Sequence, residues 1–348
     1  MASMMDTFAG LLLTILPLAS VIGLWVGSLY DQRFANVVYK LHLLRGGVRH
    51  LLFSTDRKWK KQPDADGIRE NVEATKEIIF IRHGESQWNE VFNKGFGLDW
   101  PGRLLGALFR EAKLGSTLDS VFVDSPLSEE GCAQARDLQS FVESSEEGLG
   151  AVVKGIEGDS VLCSSNLRRA LSTATIGMWE RIQRTQEKIH ILSSLQEVTF
   201  NIDGVALAKP QGFPELAKEE VHAVNLEKED FAPERYYNAV ENDGDKPVDS
   251  RGIHRIKDFA SWCFDRDEAT VIAAGHSLYF RYFFDTFLPR SSTHLARKQK
   301  MQNCAIVAFT LEKGKLSNGK PWFRINEDTI RSVYLDFETK KVKKSKKD

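Results

Sequence analysis

The sequence predicts an α/β fold, a three-layer α/β/α sandwich around a mainly parallel sheet. Short apolar runs of strand length recur along the 348 residues, helical patterns separate them, and several runs end abruptly in charged or polar residues. Alternating strands and helices build parallel sheets covered on both faces. Such sheets place their ligands outside the carboxyl ends of the strands. The runs are 77–82, 160–164, 189–192, 270–274 and 304–311, with 330–337 as an edge strand. Ser128-Glu129-Glu130 ahead of the periodic Cys132, Ala135, Leu138, Phe141 and Val142 reads as a helix start. Residues 215–226 and 253–264 read as further helices, and the polar stretch 62–71 as a linker.

Composition narrows the function classes. With 47 basic against 48 acidic side chains there is no global attraction for nucleic acid, and no nucleic-acid partner is expected. Cys132, Cys163, Cys263 and Cys304 are far apart and form no C-x-x-C, so they read as buried small hydrophobes in a reducing compartment.

The N-terminus is distinct. Phe8–Tyr30 carries no charge, and as a helix of about 34 Å it would cross a hydrocarbon core of about 30 Å. A cleaved signal peptide is the rival reading, but residues 1–7 lack the positive charge it needs. An uncleaved anchor is therefore the expectation. Arg33, Lys40, Arg45 and Arg49 follow the span, which puts the catalytic domain in the cytosol. In residues 32–45, Phe34, Val37, Val38, Leu41 and Leu44 share a helix face. This helix lies either on anionic lipid or on the catalytic domain. The expected layout is an anchor at 1–30, a basic juxtamembrane segment and linker at 31–75, a catalytic domain at 76–337 and a basic tail at 338–348.

Chemistry concentrates in Ile78–Asn89, IIFIRHGESQWN. A neutral imidazole is a nucleophile toward phosphorus, a guanidinium forks onto phosphate oxygens, and glycine admits a close backbone approach. RHGESxWN resembles the signature of the histidine phosphatase superfamily, in its phosphoglycerate mutase-like branch. Three further segments carry the resemblance in order. Ser164–Ala174 is similar to S-x-L-x-R-A-x-x-T-A, which makes Arg169 the second phosphate-binding arginine and leaves Arg168 on the helix surface. Leu195–Gly204 is similar to L-x-E-x-x-F-G-x-x-E-G, with Asn201 in place of glycine and Asp203 in place of glutamate. Thr270–Ala274 runs into Gly275-His276-Ser277, the second histidine. Asp124-Ser125-Pro126-Leu127 resembles the D-x-P-L segment before the first long helix.

The resemblance implies His83 as nucleophile, Glu197 as general acid, and Arg82, Arg169, His276 and Asn89 as ligands of the substrate phosphate. It implies a phosphohistidine intermediate without metal or other cofactor. Arg281 is a specificity residue or a surface ion-pair partner, and His190, His222, His254 and His294 match no motif. The long connection from 90 to 123 reads as a lid or substrate selector, or as a helix packed on the sheet edge. A phosphoglycerate mutase is the alternative activity. Mutases of this branch carry paired arginines leading into a proline run after the acid residue, and residues 205–250 have none. A non-catalytic phospholigand-binding module is the third reading, and it would need no acid catalyst. The substrate is a phosphorylated small molecule, lipid or protein. The tail, with Lys346 and Lys344 third and fifth from the end, resembles the dilysine signal that retrieves membrane proteins to the endoplasmic reticulum.

Overall fold

A computed structural model describes residues 19–338. Alternation of apolar side chains sorts the sheet into two covered faces. In β1 (Val72–Arg82), Ile78 and Phe80 join one core while Ile79 and Ile81 join the other. β2 (Ser160–Ser165) and β5 (Thr270–Gly275) divide in the same way, Val161 and Val271 to one side and Leu162 and Ile272 to the other. With β3 (Ile189–Leu192), β4 (Tyr237–Asn238), β6 (Ile306–Lys315) and β7 (Pro321–Tyr334) they form a seven-stranded sheet in the order β4-β3-β2-β5-β1-β6-β7. The strands from β4 to β1 pair in parallel, and β6 and β7 run antiparallel at the far edge. The predicted α/β sandwich is thus the observed one.

Helices cover both faces. Besides α1 (Gln32–Phe53), α2 (Gln87–Phe92) and α3 (Trp100–Lys113), the chain has α4 (Glu129–Ser144), α5 (Arg168–Gly177), α6 (Gly252–Phe264) and α7 (Ser277–Phe287). α6 and α7 bury Phe259, Phe280, Phe283 and Phe284 around Phe80, whose ring stacks on Phe280 at 4.0 Å. α4 and α5 bury Ala135, Leu138, Leu171 and Ala174 on the opposite face. Each buried Phe or Leu is worth roughly 1.5–3 kcal/mol, so the two cores hold the sheet edges rigidly. The four cysteines are buried and free.

Three sequence expectations need correction. The helix expected over 215–226 is one short turn, Lys218–His222. Glu220 caps its start by accepting the Ala217 N–H (2.7 Å) and ties it to the Leu127 N–H (2.8 Å), and turns through Asn225, at φ 59°, end it. The edge strand begins at Pro321 rather than 330, because Asn318-Gly319 turns the chain back on β6 with Gly319 at φ 78°. The stretch 62–71 is more than linker, since its 3-10 turn Ala65–Ile68 buries both Ala65 and Ile68.

α1 uses a different face from the one its apolar spacing marks. α1 packs on the catalytic domain: Leu43 is buried with Val123, Val205 and Leu207. Lys40 Nζ donates to the carbonyls of Leu114 (2.9 Å) and Asp119 (2.7 Å). The opposite face of α1 leaves Phe34, Leu41, Leu44, Val48, Leu51 and Leu52 exposed. The expected span Phe8–Tyr30 lies largely outside the described residues. Its part from 19 to 27 is helical, and among the described residues no helix is long and apolar enough to cross a membrane. The basic tail beyond 338 also lies outside them. In the 90–123 connection, α3 packs on α2 through Val91, Ala107 and Val121, with Leu105, Leu108 and Phe109 exposed.

Candidate active site

Sheet register assembles the site. Arg82 at the end of β1 pairs with Gly275 at the end of β5, so His83 and His276 leave the sheet side by side with ring centroids 5.2 Å apart. β2 is the other neighbour of β5, and its terminal Ser165 Oγ lies 2.8 Å from His276 Nε2. α5 follows β2 and brings Arg169, and the chain after β3 brings Glu197. Arg82, His83, Asn89, Arg169, Glu197 and Asp203 line one cavity of ≈ 130 Å³; His276 is fully buried behind His83 and does not itself line it.

His83 Nδ1 is 2.6 Å from the carbonyl of Gly84. A carbonyl only accepts, so Nδ1 carries the hydrogen and Nε2 keeps its lone pair. Burial, then the charge of Arg169, His276 and Arg82, hold the His83 imidazole well below its usual pKa. It is therefore neutral at physiological pH and able to attack. His276 is depressed in the same way, by burial first and then by Arg169, Lys246 and Arg82. Gly84 is required by close approach: a Cβ there would come to 2.7 Å of the Gly131 carbonyl at the start of α4.

The charges around His83 are arranged in opposition. Arg169 Nη2 donates to Glu197 Oε2 at 2.6 Å and Nη1 to the Asp203 carbonyl at 2.8 Å. Burial alone would raise the Glu197 carboxyl, but the Arg169 guanidinium bonded to it leads the opposing charges and the net direction is down. Asp203 goes the other way, pushed up to about 6 by burial, with Arg169 opposing and Glu197 adding. The two carboxyls of the pocket are thus driven apart, Glu197 toward the ionised form and Asp203 toward the protonated one. Arg82 is engaged outside the cavity, donating to the Met301 carbonyl and to Glu338 Oε1 (2.7 Å). Its Nε, His276 Nδ1 and Asp203 Oδ1 are buried without a hydrogen-bond partner. Asn89 accepts from Asn93 Nδ2 at 2.8 Å.

Arg168 is a correction. Expected on the helix surface, it is 1% exposed and bonds the Asp119 carboxylate and the carbonyls of Asp124 and Ser120. The segment 119–124 crosses the start of α5, and those buried carbonyls need a donor. Arg281 lies over the Tyr282 ring and lines no part of the cavity. His190 and His222 face Glu241 and Glu227, His294 Nδ1 accepts from the Ala296 N–H, and His254 is likewise outside the cavity.

Sequence reasoning missed a second layer. Lys246 Nζ donates to Asp56 Oδ2 (2.7 Å) and to the carbonyls of Glu197 (2.5 Å) and Thr199 (2.7 Å). Asp56 also accepts from the Thr199 N–H (3.0 Å) and from Arg255 (3.1 Å). This buried clamp holds the backbone of the acid loop, and Asp56 comes from the segment read as juxtamembrane. Nothing local to Asp56 or Lys246 signals this pairing. Asp203 was within reach, since it stands in the segment that carries Glu197. Among the described residues no group of three or more His, Cys, Asp or Glu side chains is placed to hold a metal ion.

A sequence model of the histidine phosphatase superfamily (branch 1) matches residues 120–318, more than half of the chain. The matched segment contains Arg169, Glu197 and His276 and begins beyond Arg82 and His83. Among solved structures, a mycobacterial glucosyl-3-phosphoglycerate phosphatase is 15% identical, covering 76% of this chain and 100% of its own, with a TM-score of 0.36. A phosphoserine phosphatase from Entamoeba histolytica is 17% identical, covering 72% and 96%, with a TM-score of 0.32. No curated protein sequence matches the chain.

Proposed function

Because the chain belongs to the histidine phosphatase superfamily (branch 1), we propose that it is a phosphomonoesterase working through a phosphohistidine at His83. The observation that carries this reading is the His83 imidazole itself: buried, neutral, bonded through Nδ1 to Gly84, and facing a cavity lined by two arginines. His83 Nε2 attacks phosphorus in line as the bond to the leaving oxygen breaks. Arg82, Arg169 and His276 meet the charge on the equatorial oxygens, with Asn89 beside them. The leaving oxygen takes its proton from Glu197, whose carboxyl rises once the bound phosphate dianion offsets the Arg169 charge beside it. Water then attacks the phosphohistidine and returns a proton to the ionised carboxylate. Arg82 reaches the phosphate only when Glu338 gives way.

His83→Ala should abolish turnover with the fold intact, and wild type alone should form an acid-labile, base-stable phosphoenzyme. Undiminished turnover in the variant would remove the mechanism. The reaction runs without metal, so activity should survive exhaustive EDTA, because arginine and histidine supply the cationic charge. Vanadate should inhibit.

The finer reading adds a membrane. We propose a single-span anchor at Phe8–Tyr30, a cytosolic catalytic domain, and residence in the endoplasmic reticulum under the lysine-rich tail. The exposed apolar face of α1, continuous in sequence with that segment, supports it. Protease protection on sealed microsomes tests the orientation: a protected catalytic domain overturns it. A Lys344→Ser, Lys346→Ser double variant with unchanged distribution discards the retrieval signal.

A further inference from the structure

We infer that the alcohol released by this enzyme is polyhydroxylated, a sugar or cyclitol, and carries a second anionic group that Lys300 reads. The inference rests on the phosphatase reading and extends it to the leaving group. The catalytic cavity of ≈ 130 Å³ has room for little beyond a phosphoryl group, but a second cavity of ≈ 770 Å³ adjoins it and shares Arg82, Asn89, Asn93 and Lys300. The larger cavity is bounded by Gln302, Asn303 and Phe92 as well.

Its chemistry is selective. A carboxamide both donates and accepts, as a hydroxyl does, so a wall of carboxamides matches a polyol. The same wall would lose its water to an acyl chain without replacement bonds. The side chains of Gln302 and Asn303 bond none of the other described residues. Their backbone is nevertheless held: Gln302 N donates to the Asp336 carbonyl (2.9 Å), Glu338 N to the Lys300 carbonyl (2.7 Å), and Met301 bridges Phe337. Gln302 is exposed and Asn303 half-buried, so a fixed backbone presents their free carboxamides to the cavity. Phe92 adds a flat apolar face of the kind that packs on a ring's C–H bonds.

Charge points to the second anion. In the larger cavity Arg82 is matched by Glu338 (2.7 Å) and Lys94 by Glu85 (3.0 Å). Lys300 has no ion pair among the described residues and lines both cavities, where they meet. The reacting phosphoryl group already faces Arg82 and Arg169, which leaves Lys300 for an anion on the released alcohol.

The test compares kcat/KM of the full chain in detergent for benzyl phosphate, glucose 6-phosphate and fructose 1,6-bisphosphate. The expected order rises along that series by about tenfold at each step. Lys300→Met should erase the step from mono- to bisphosphate, and a Gln302→Leu, Asn303→Leu double variant the step from benzyl to sugar ester, with melting temperature as the check on folding. Benzyl phosphate turned over as well as the sugars, or steps that survive the substitutions, overturn the inference while leaving the phosphatase standing. No hydrolysis of any ester, benzyl phosphate included, overturns the phosphatase reading itself. A parallel arm sets soluble inositol 1,4,5-trisphosphate against phosphatidylinositol 4,5-bisphosphate in phosphatidylcholine vesicles. Preference for one assigns the source as free or lipid-borne, and hydrolysis of neither, with the simple ester cleaved, counts against the inference.

Discussion

The cup around His83 and the clamp behind the acid loop are built from the same kinds of charge, but the cup leaves three of its buried polar atoms without a hydrogen bond where the clamp leaves one, Asp56 Oδ1, which keeps an ion pair to Arg255 at 2.9 Å. In the cup, Arg82 Nε, His276 Nδ1 and Asp203 Oδ1 are buried without partners. In the clamp, Lys246 Nζ has three acceptors, and Asp56 takes donors from Lys246, Arg255 and the Thr199 backbone. Two neighbours on α5 are both paired but aimed differently: Arg169 meets Glu197 and the Asp203 carbonyl at the cavity wall, and Arg168, equally buried, spends its guanidinium on the 119–124 segment. Unpartnered groups cost stability but are ready to meet a transition-state charge without reorganisation. Paired ones hold the loops that aim them.

The adjacent arginines offer the sharpest way to break that comparison. Both variants break a buried pair, Arg169 with Glu197 and Arg168 with Asp119, so each should destabilise by about 3–5 kcal/mol. Only Arg169→Gln should also lower kcat/KM, by ~10²–10³, as loss of one preorganised donor does. Steady-state kinetics and chemical denaturation on both variants check this. Equal profiles for the two would dissolve the distinction.

Asp56→Asn comes next, with a loss of about 3 kcal/mol and a lower kcat as the Glu197 loop loosens. Burial would raise the Asp56 carboxyl, but Lys246 and Arg255 outweigh it and the net direction is down. Its contribution is therefore present above the unfolded value of ~3.9 and lost as pH falls through the lower folded value. The gap between wild type and variant should be full at pH 7 and close in acid. Denaturation at pH 7 and pH 3 measures it, and a pH-independent gap would show that charge is not the cause.

Asp203 should behave in the opposite sense. Its carboxyl is pushed up to about 6, so the folded state holds the proton more tightly. That share of stability is complete below pH ~4 and lost as pH rises through about 6. Asp203→Asn should lose less stability than wild type between pH 4 and 7, by the same denaturation measurement. The smallest effect belongs to Glu338, half exposed on Arg82. An exposed pair is worth ~0.2–1 kcal/mol, so Glu338→Gln should lower KM by up to about fivefold. An unchanged or raised KM would mean that Glu338 does not compete with substrate.

Much of the cup was legible in the chain because its signals are local. Ile78–Ile81 before Arg82-His83, and Thr270–Ala274 before His276, each state a strand and what stands at its end. The clamp was not legible, because Asp56 and Lys246 are separated by 190 positions and neither stands in a patterned segment. Arg168 differs for a related reason: it stands at the variable position of the motif, which carries no information on the distant 119–124 segment that buries it.

By itself the sequence determined the strands, their carboxyl-end motifs and the sandwich they imply, since apolar alternation and chain order are properties of neighbouring residues. Only the tertiary structure decided which charges stay without partners, that Asp56 and α1 belong to the catalytic body, and that the loop entering β6 walls a cavity with Lys300. Those outcomes depend on which distant backbone carbonyl, carboxylate or empty space a side chain meets once the chain has packed, and residue order alone carries no record of that meeting.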